Sequence, residues 1–382
     1  MDSNADPINS GVNANDAGWP TPEDGTIIRR VGGSDWSVYT ENPSGSPYPL
    51  SAESAFALPL DSALLYFLTR GGGNVGDVNI VNSDVARNKV DVRVHVNYHR
   101  QEALDHANVC LLKKEKEDGE GVGIFTPNGW HPTDRLDRMH FTVTVTFPAT
   151  SDGSPLKIKD FESTTSHYSH QIADLRGTVY FGVFTIGSDS AGITSESIFA
   201  GSGTFKATKG AIKGAFNVSS SLELTTTDAN ITARVGLRND VASYLAGNQT
   251  SDSSTHSDAG TGGNFKVSAT TVKAPITLTH ISSPIDSIQN LVVSTVYAPV
   301  TVSLNNAYEG GFTLNSSYSP LTVVKSGATD PSGQGRERVL KKDSQSSDHV
   351  TGSVYWNPNS GPGVSQGSVQ ITTSKSPIRL TV

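Results

Sequence analysis

With a single cysteine, Cys110, the chain can form no intrachain disulfide, so packing and hydrogen bonding must hold its fold. Charge is scarce as well. Only 17% of the 382 residues are Asp, Glu, Lys or Arg, beside 37 glycines and 19 prolines. That balance excludes a charge-laced helical bundle and suits β structure with many turns. No run of 18 apolar residues exists, so nothing reads as a membrane-spanning helix. Residues 1–25 lack an apolar core and show no signal peptide, so the expected location is cytoplasmic. The net charge of −8 argues against nucleic acid or an anionic membrane as a general partner, since both need clustered Lys and Arg.

The usual catalytic motifs are missing too: there is no H-E-x-x-H, P-loop or C-x-x-C. Two literal motif matches fail on their context. Gly71-Gly-Gly-Asn-Val-Gly76 fits G-x-G-x-x-G but runs into Asp77-Val-Asn-Ile-Val81, which alternates like a strand. A dinucleotide site needs a helix there, so that N–H groups meet the pyrophosphate. Gly363-Val-Ser-Gln-Gly367 fits G-x-S-x-G but lacks the strand before it and the helix after it that would expose Ser365 as a nucleophile. His95 and His99 fall on one strand about 13 Å apart, too far to share a metal ion. His167 and His170 have no cysteine or carboxylate pattern beside them. No catalytic residue, cofactor or metal site is read.

What the sequence does contain is a repeat. Val267-Ser-Ala-Thr-Thr-Val-Lys-Ala-Pro-Ile-Thr-Leu278 returns as Leu291–Val302, Phe312–Val323 and Val369–Leu380. With the proline as position zero, apolar residues fall at −8, usually −6, +1 and +3. Small polar residues fall at −5 and −4, and Lys or Tyr at −2. Apolar residues two apart on each side of a polar corner read as two short strands, each with one buried face. Proline, with a fixed φ and no N–H, suits the corner. Looser copies extend backwards, giving zero positions at 192, 211, 230, 275, 299, 320 and 377. About 20 residues is one unit, and one unit buries too few apolar side chains to offset its own backbone entropy. Stacked units share their apolar faces, as solenoids do.

The expected fold is all-β: stacked short strands forming a β-solenoid or β-helix-like array behind an N-terminal β-strand region. A two-sheet β-sandwich with repeating hairpins is the alternative. Residues 1–50 read as a polar, disordered or loosely docked tail, which Ile27-Ile28 and Trp36–Tyr39 could pin to the body. Residues 51–170 read as the N-terminal β region. Within it Val90, Val92, Val94 and Val96 share one face of a strand, as do Phe141, Val143, Val145 and Phe147 of another. Residues 171–382 read as the repeat region, with loop inserts at 239–263 and 326–350.

The outward +2 column reads Thr194, Lys213, Thr232, Thr277, Thr301, Thr322 and Arg379. Threonine is an ordinary solvated strand residue, but a flat file of it is also a candidate face for carbohydrate, protein or ice. The candidate binding residues are therefore Thr194, Thr232, Thr277, Thr301 and Thr322, with Tyr297, Tyr318 and Trp356 as aromatic candidates.

Ala57-Leu-Pro-Leu60, Gly121-Val-Gly-Ile-Phe-Thr-Pro127, Phe141–Pro148 and the Ala/Ser-Pro-Ile/Val/Leu repeats together resemble a family of uncharacterised basidiomycete proteins. The repeat half is similar to bacterial adhesin-like domains with a β-solenoid fold. The resemblance covers roughly residues 55–382 and implies a fold, with no activity or catalytic residues. The leading expectation is a non-enzymatic, adhesin-like binding or structural module with a protein or glycan partner. One alternative is a polysaccharide-acting enzyme whose inserts carry Asp252, Asp258 and Asp348. Another is a scaffold that self-associates end to end through the strand Ile378–Val382.

Overall fold

The computed structural model describes residues 19–39, 47–245, 259–357 and 367–382, and the chain is all-β. It opens with β1 (Thr26–Gly32), β2 (Ser37–Tyr39), β3 (Leu50–Pro59), β4 (Leu64–Arg70) and β5 (Gly76–Ala86). β6 (Lys89–Tyr98), the short helix α1 (Gln101–Leu104), β7 (Asn108–Lys114), β8 (Gly119–Phe125) and β9 (Met139–Ala149) follow. β10 (Leu156–Thr165), β11 (Tyr168–Asp174) and β12 (Val179–Ser188) lead into the long strands β13 (Ile193–Ala207) and β14 (Ile212–Thr225), then β15 (Ile231–Leu237). After the helical turn α2 (Val241–Leu245) come β16 (Asn264–Thr270), β17 (Ile276–Ser282), β18 (Ile288–Ser294), β19 (Val300–Ser303), β20 (Gly310–Ser316) and β21 (Leu321–Val324). The last four are β22 (Glu337–Gln345), β23 (His349–Asn357), β24 (Gly367–Thr373) and β25 (Ile378–Thr381).

Hydrogen bonds join these 25 strands into one network laid out as two rows. The first row runs β2-β3-β6-β9-β5-β11-β13-β14-β15-β17-β19-β25-β21. The second runs β1-β7-β8-β4-β10-β12-β13-β14-β16-β18-β24-β20-β23-β22. One strand from each row, joined by a corner, makes a rung. β13 and β14 serve both rows: Ile193–Ser195 pairs β11, while the stretch from Ala200 to Ala207 pairs β12, with irregular register between them. Rungs pair in parallel, and antiparallel strands cover the N-terminal ends of both rows and the C-terminal end of the second.

The repeat positions explain the corners. The N–H at +1 donates to the zero-position carbonyl of the next rung, as Ile231 does to Pro275, Ile276 to Pro299, Val300 to Pro377 and Ile378 to Pro320. The zero residue thus serves through its carbonyl, which proline retains. The small polar residue at −4 is buried and donates across the corner. Thr226 Oγ1 reaches Gly210 O at 3.2 Å, Thr271 Oγ1 reaches Ala229 O at 3.3 Å and Ser316 Oγ reaches Ser376 O at 3.2 Å.

Between the rows lies one long core. Its +1 column runs Ile193, Ile212, Ile231, Ile276, Val300, Ile378 and Leu321 in register. Toward the N-terminus the filling turns aromatic. Phe147 meets Phe161 across the rows at 5.7 Å and Phe205 meets Phe216 at 4.6 Å between ring centres. The expected apolar faces Val90–Val96 and Phe141–Phe147 are buried here.

Four sequence expectations are altered. The polar N-terminal stretch holds β1 and β2, with Val31 and Trp36 buried against the body. The insert at 239–263 begins with α2, whose Tyr244 packs on Phe199 at 4.6 Å and accepts from Gly177 N, so it is no plain loop at its start. The insert at 326–350 carries β22, which pairs with β23 as an antiparallel hairpin. Its charges, Lys341, Lys342 and Asp343, sit on that edge strand, where charge discourages further pairing. Lastly, β25 is not an edge. It pairs β19 on one side and β21 on the other, so the segment from Gly367 to Thr381 is inserted before the rung from Gly310 to Val324. The N-terminal end shows the same inversion, with β4–β5 lying inside β8–β9.

Candidate functional site

Parallel register carries the +2 residues into one outward file. Thr194 lies beside Lys213, then Thr232, Thr277, Thr301, Arg379 and Thr322. The file continues N-terminally through Gln171, Asn79, Thr144 and Arg93. Successive members are about 4.8 Å apart, the spacing of hydrogen-bonded strands. Thr194, Thr232, Thr277 and Thr322 are exposed and Thr301 is half-buried. All five sequence-derived residues thus share one face. The inserted rung puts Arg379 between Thr301 and Thr322, which their sequence order hides.

The aromatic candidates divide. Tyr297 and Tyr318 stand out of the −2 corner with 57% and 83% of their surface exposed. Trp356 is a correction: it is 1% exposed, because β23 turns it inward. Its Nε1 donates to Asn306 O at 3.0 Å, and the Arg338 guanidinium lies 5.0 Å from its ring centre. Beside it Arg336 pairs with Asp330 at 2.9 Å. Burial would raise the Asp330 carboxyl, but hydrogen bonds from Arg336 and Ser332 outweigh it and hold the group well below the usual carboxylate range. Burial pushes Arg338 down to about 10, which leaves it charged at neutral pH. This cluster braces the hairpin β22–β23.

The titratable candidates are dispersed. His167 is exposed with Nδ1 3.0 Å from Ser190 Oγ, whereas His170 is buried with Nε2 2.8 Å from Ser163 Oγ. Burial takes His170 down to about 3 and His280 down to about 4. His95 lies 3.3 Å from Asn97 Oδ1, and His99 packs on Tyr48. Asp348 sits in the β22–β23 turn and accepts from Ser346 Oγ at 2.7 Å. Asp252, Asp258 and Ser365 lie outside the described residues. The glycines at 71–76 form the turn between β4 and β5. A Cβ on Gly71 would come 1.8 Å from Thr126 O, so close backbone approach requires glycine there.

Sequence reasoning missed a shallow groove of about 280 Å³ beside the N-terminal part of the file, lined by Ser83, Val85, Arg87, Asp91, Arg93, Thr144, Thr146 and Pro148. A bulge in β5 opens it, since register shifts between Asn82 and Ala86. Its charges are mutually paired: Arg87 with Asp91 at 2.7 Å, Arg93 with Glu53 at 3.4 Å.

No family model matches the chain and no curated protein matches it, so the basidiomycete resemblance is taken no further. Among solved structures it is similar to proteins named as bacterial adhesins. One, from Clostridium sporogenes and named a "putative cell adhesion protein", is 10% identical with a TM-score of 0.26, over 87% of this chain and 99% of that one. A second, from Bacteroides fragilis and named a "putative adhesin", is 7% identical with a TM-score of 0.31, over 86% and 96%. A third of the same name, from Parabacteroides merdae, is 12% identical with a TM-score of 0.30, over 66% and 88%. Likeness this slight says nothing of what this chain binds. Among the described residues no helix is long and apolar enough to cross a membrane.

Proposed function

We propose that this chain is a non-enzymatic, adhesin-like binding or structural module: a β-solenoid that offers the flat outer face of its first row to a protein or glycan partner. The observation that supports this reading most is the outward file itself. Thr194, Thr232, Thr277, Thr301 and Thr322 are held in register on a ladder of parallel strands. Such a file repeats hydroxyl groups along a rigid, extended surface of the kind solenoids use for recognition. A polymer with a regular repeat can meet many of these groups at once at little ordering cost. The test is a glycan array and a pull-down with the wild-type chain beside a variant carrying alanine at Thr277, Thr301 and Thr322. Binding by the wild type that the variant loses, with an unchanged β spectrum, is expected. Equal binding by both would remove this face from consideration.

A second reading, a scaffold that assembles end to end, draws on a different observation. At the C-terminal end the second row is covered by β23 and β22, while among the described residues no strand pairs the outer edge of β21 in the first row. An uncovered edge is a template for another strand. Sedimentation of the full chain should then show mass rising with concentration. A monomer mass at every concentration would end this reading.

A further inference from the structure

The −2 corner presents its side chains in rung order, which is not sequence order. Backbone bonds fix that order: Asp228 N donates to Thr208 O, Lys273 N to Thr227 O, Tyr297 N to Val272 O and Lys375 N to Val296 O. Tyr318 belongs to the outermost rung, tied to the same corner by Ser316 Oγ to Ser376 O. The ridge therefore reads Lys209, Asp228, Lys273, Tyr297, Lys375, Tyr318. The inserted rung places Lys375 between two tyrosines that the sequence would have set side by side.

Three features distinguish the C-terminal end of this ridge. Tyr297 and Tyr318 are among the most exposed large apolar side chains of the molecule, and nothing in the fold requires an aromatic there, since Lys fills the same position in other rungs. Adjacent rungs are about 5 Å apart, so the two rings lie about 10 Å apart along the ridge. The exposed corner prolines Pro299, Pro377 and Pro320 run beside them. The third feature is cationic charge. Asp228 answers Lys273 at 2.8 Å. Lys375 contacts the Tyr297 ring, 5.6 Å from its centre, and among the described residues neither Lys375 nor the neighbouring Arg379 has a carboxylate partner. Asp348 borders the corner from the hairpin side, where its carbonyl accepts from Ser316 N.

We propose, building on the binding-module reading, that this corner binds an acidic polysaccharide, one with carboxylate groups on its sugar rings. Tyr297 and Tyr318 take the C–H faces of sugars about two units apart along an extended chain. Lys375, with Arg379 on the adjoining face, meets the carboxylates between them. Thr322 and Thr301 supply hydroxyls to the sugar hydroxyls. Aromatic surface and cations together also suit single-stranded nucleic acid. The few cations here favour the glycan, to which ring faces and hydroxyls offer further contacts, because nucleic-acid affinity rests on neutralising many phosphates.

The full chain is titrated with polygalacturonate, with neutral dextran and with an oligodeoxythymidylate, followed calorimetrically. Polygalacturonate should bind, added salt should weaken it, and dextran should not compete. Tyr318→Ala and Lys375→Gln should each weaken binding about tenfold. Both side chains are exposed, so the variants should keep the wild-type β spectrum. A paired variant at the far end of the file, Thr194→Val with Thr232→Val, removes hydroxyls without adding charge and separates the corner from the face. Loss at the corner with no loss there supports the corner. Loss at the far end with none at the corner overturns the corner and leaves the threonine face standing. Silence toward polygalacturonate overturns the proposal, as does equally tight oligodeoxythymidylate binding lost in the same two variants.

Discussion

At the scale of single residues, the same amino acid does opposite work at two positions of the repeat. Threonine at −4 is buried and closes a corner, as Thr271 does on Ala229 O and Thr227 O. Threonine at +2 faces outward instead, exposed at Thr277. Thr271→Val should therefore cost about 1–2 kcal/mol in urea unfolding, and Thr277→Val less than about 0.5 kcal/mol. Two buried histidines give a second residue-scale expectation. Burial lowers His170 to about 3 and His280 to about 4, below the ordinary 6.5. A group lowered in this way takes its proton in the unfolded chain first, so stability is flat above pH 6.5 and falls as pH drops from there toward 4. At pH 5 each ring should account for roughly 2 kcal/mol of that loss. The urea midpoint of His280→Gln should then change less than that of the wild type between pH 7 and 5. Equal changes would show that His280 is charged or hydrated in the native chain.

At the scale of elements, the corner was legible because each of its residues performs one task that every rung repeats. Proline at zero, threonine at −4 and paired apolar positions each follow from the ladder. The weak copies have a physical cause as well. Ser195 and Gly214 fail the apolar +3 position where β13 and β14 bend from one row into the other. Gly214 has φ +139°, and a Cβ there would stand 2.0 Å from Ser195 O. Gly214→Ala should cost about 2–4 kcal/mol, seen as a lowered denaturation midpoint with unchanged slope. Trp356 and the insert at 326–350 were misread together. A charged run on an edge strand looks like a loop in sequence, and a tryptophan after it then looks exposed.

For the whole molecule, the order of the rungs was the illegible part. Every rung offers its neighbours the same apolar columns and the same carbonyls, so the sequence holds no mark of which rung meets which. The Tyr–Lys–Tyr ridge inherits that illegibility, while the threonine file does not, since a column of like residues survives any reordering. The inversion also carries a stability expectation. Removing residues 367–382 would withdraw a rung from inside the stack and strip β20 of β24 and β21 of β25, so that the β20–β23–β22 set keeps its own pairings but loses its seat on the stack. Hydrogen exchange on such a truncation should show protection lost from Gly310 through Asn357 and kept through β19. Loss confined to the neighbours β18 and β19 would contradict the inserted arrangement.

The inserted rung also sets a sequence of events in time. A chain made from its N-terminus can seat rungs one after another as they emerge, up to β19. The stretch from Gly310 to Asn357 is synthesised next but has no seat until Gly367–Thr381 has followed and settled against β18 and β19. The inserted segment therefore acts as a keystone: until it has emerged the stack stops at β19, and the corner bearing Tyr297, Lys375 and Tyr318 comes into being only once it is seated.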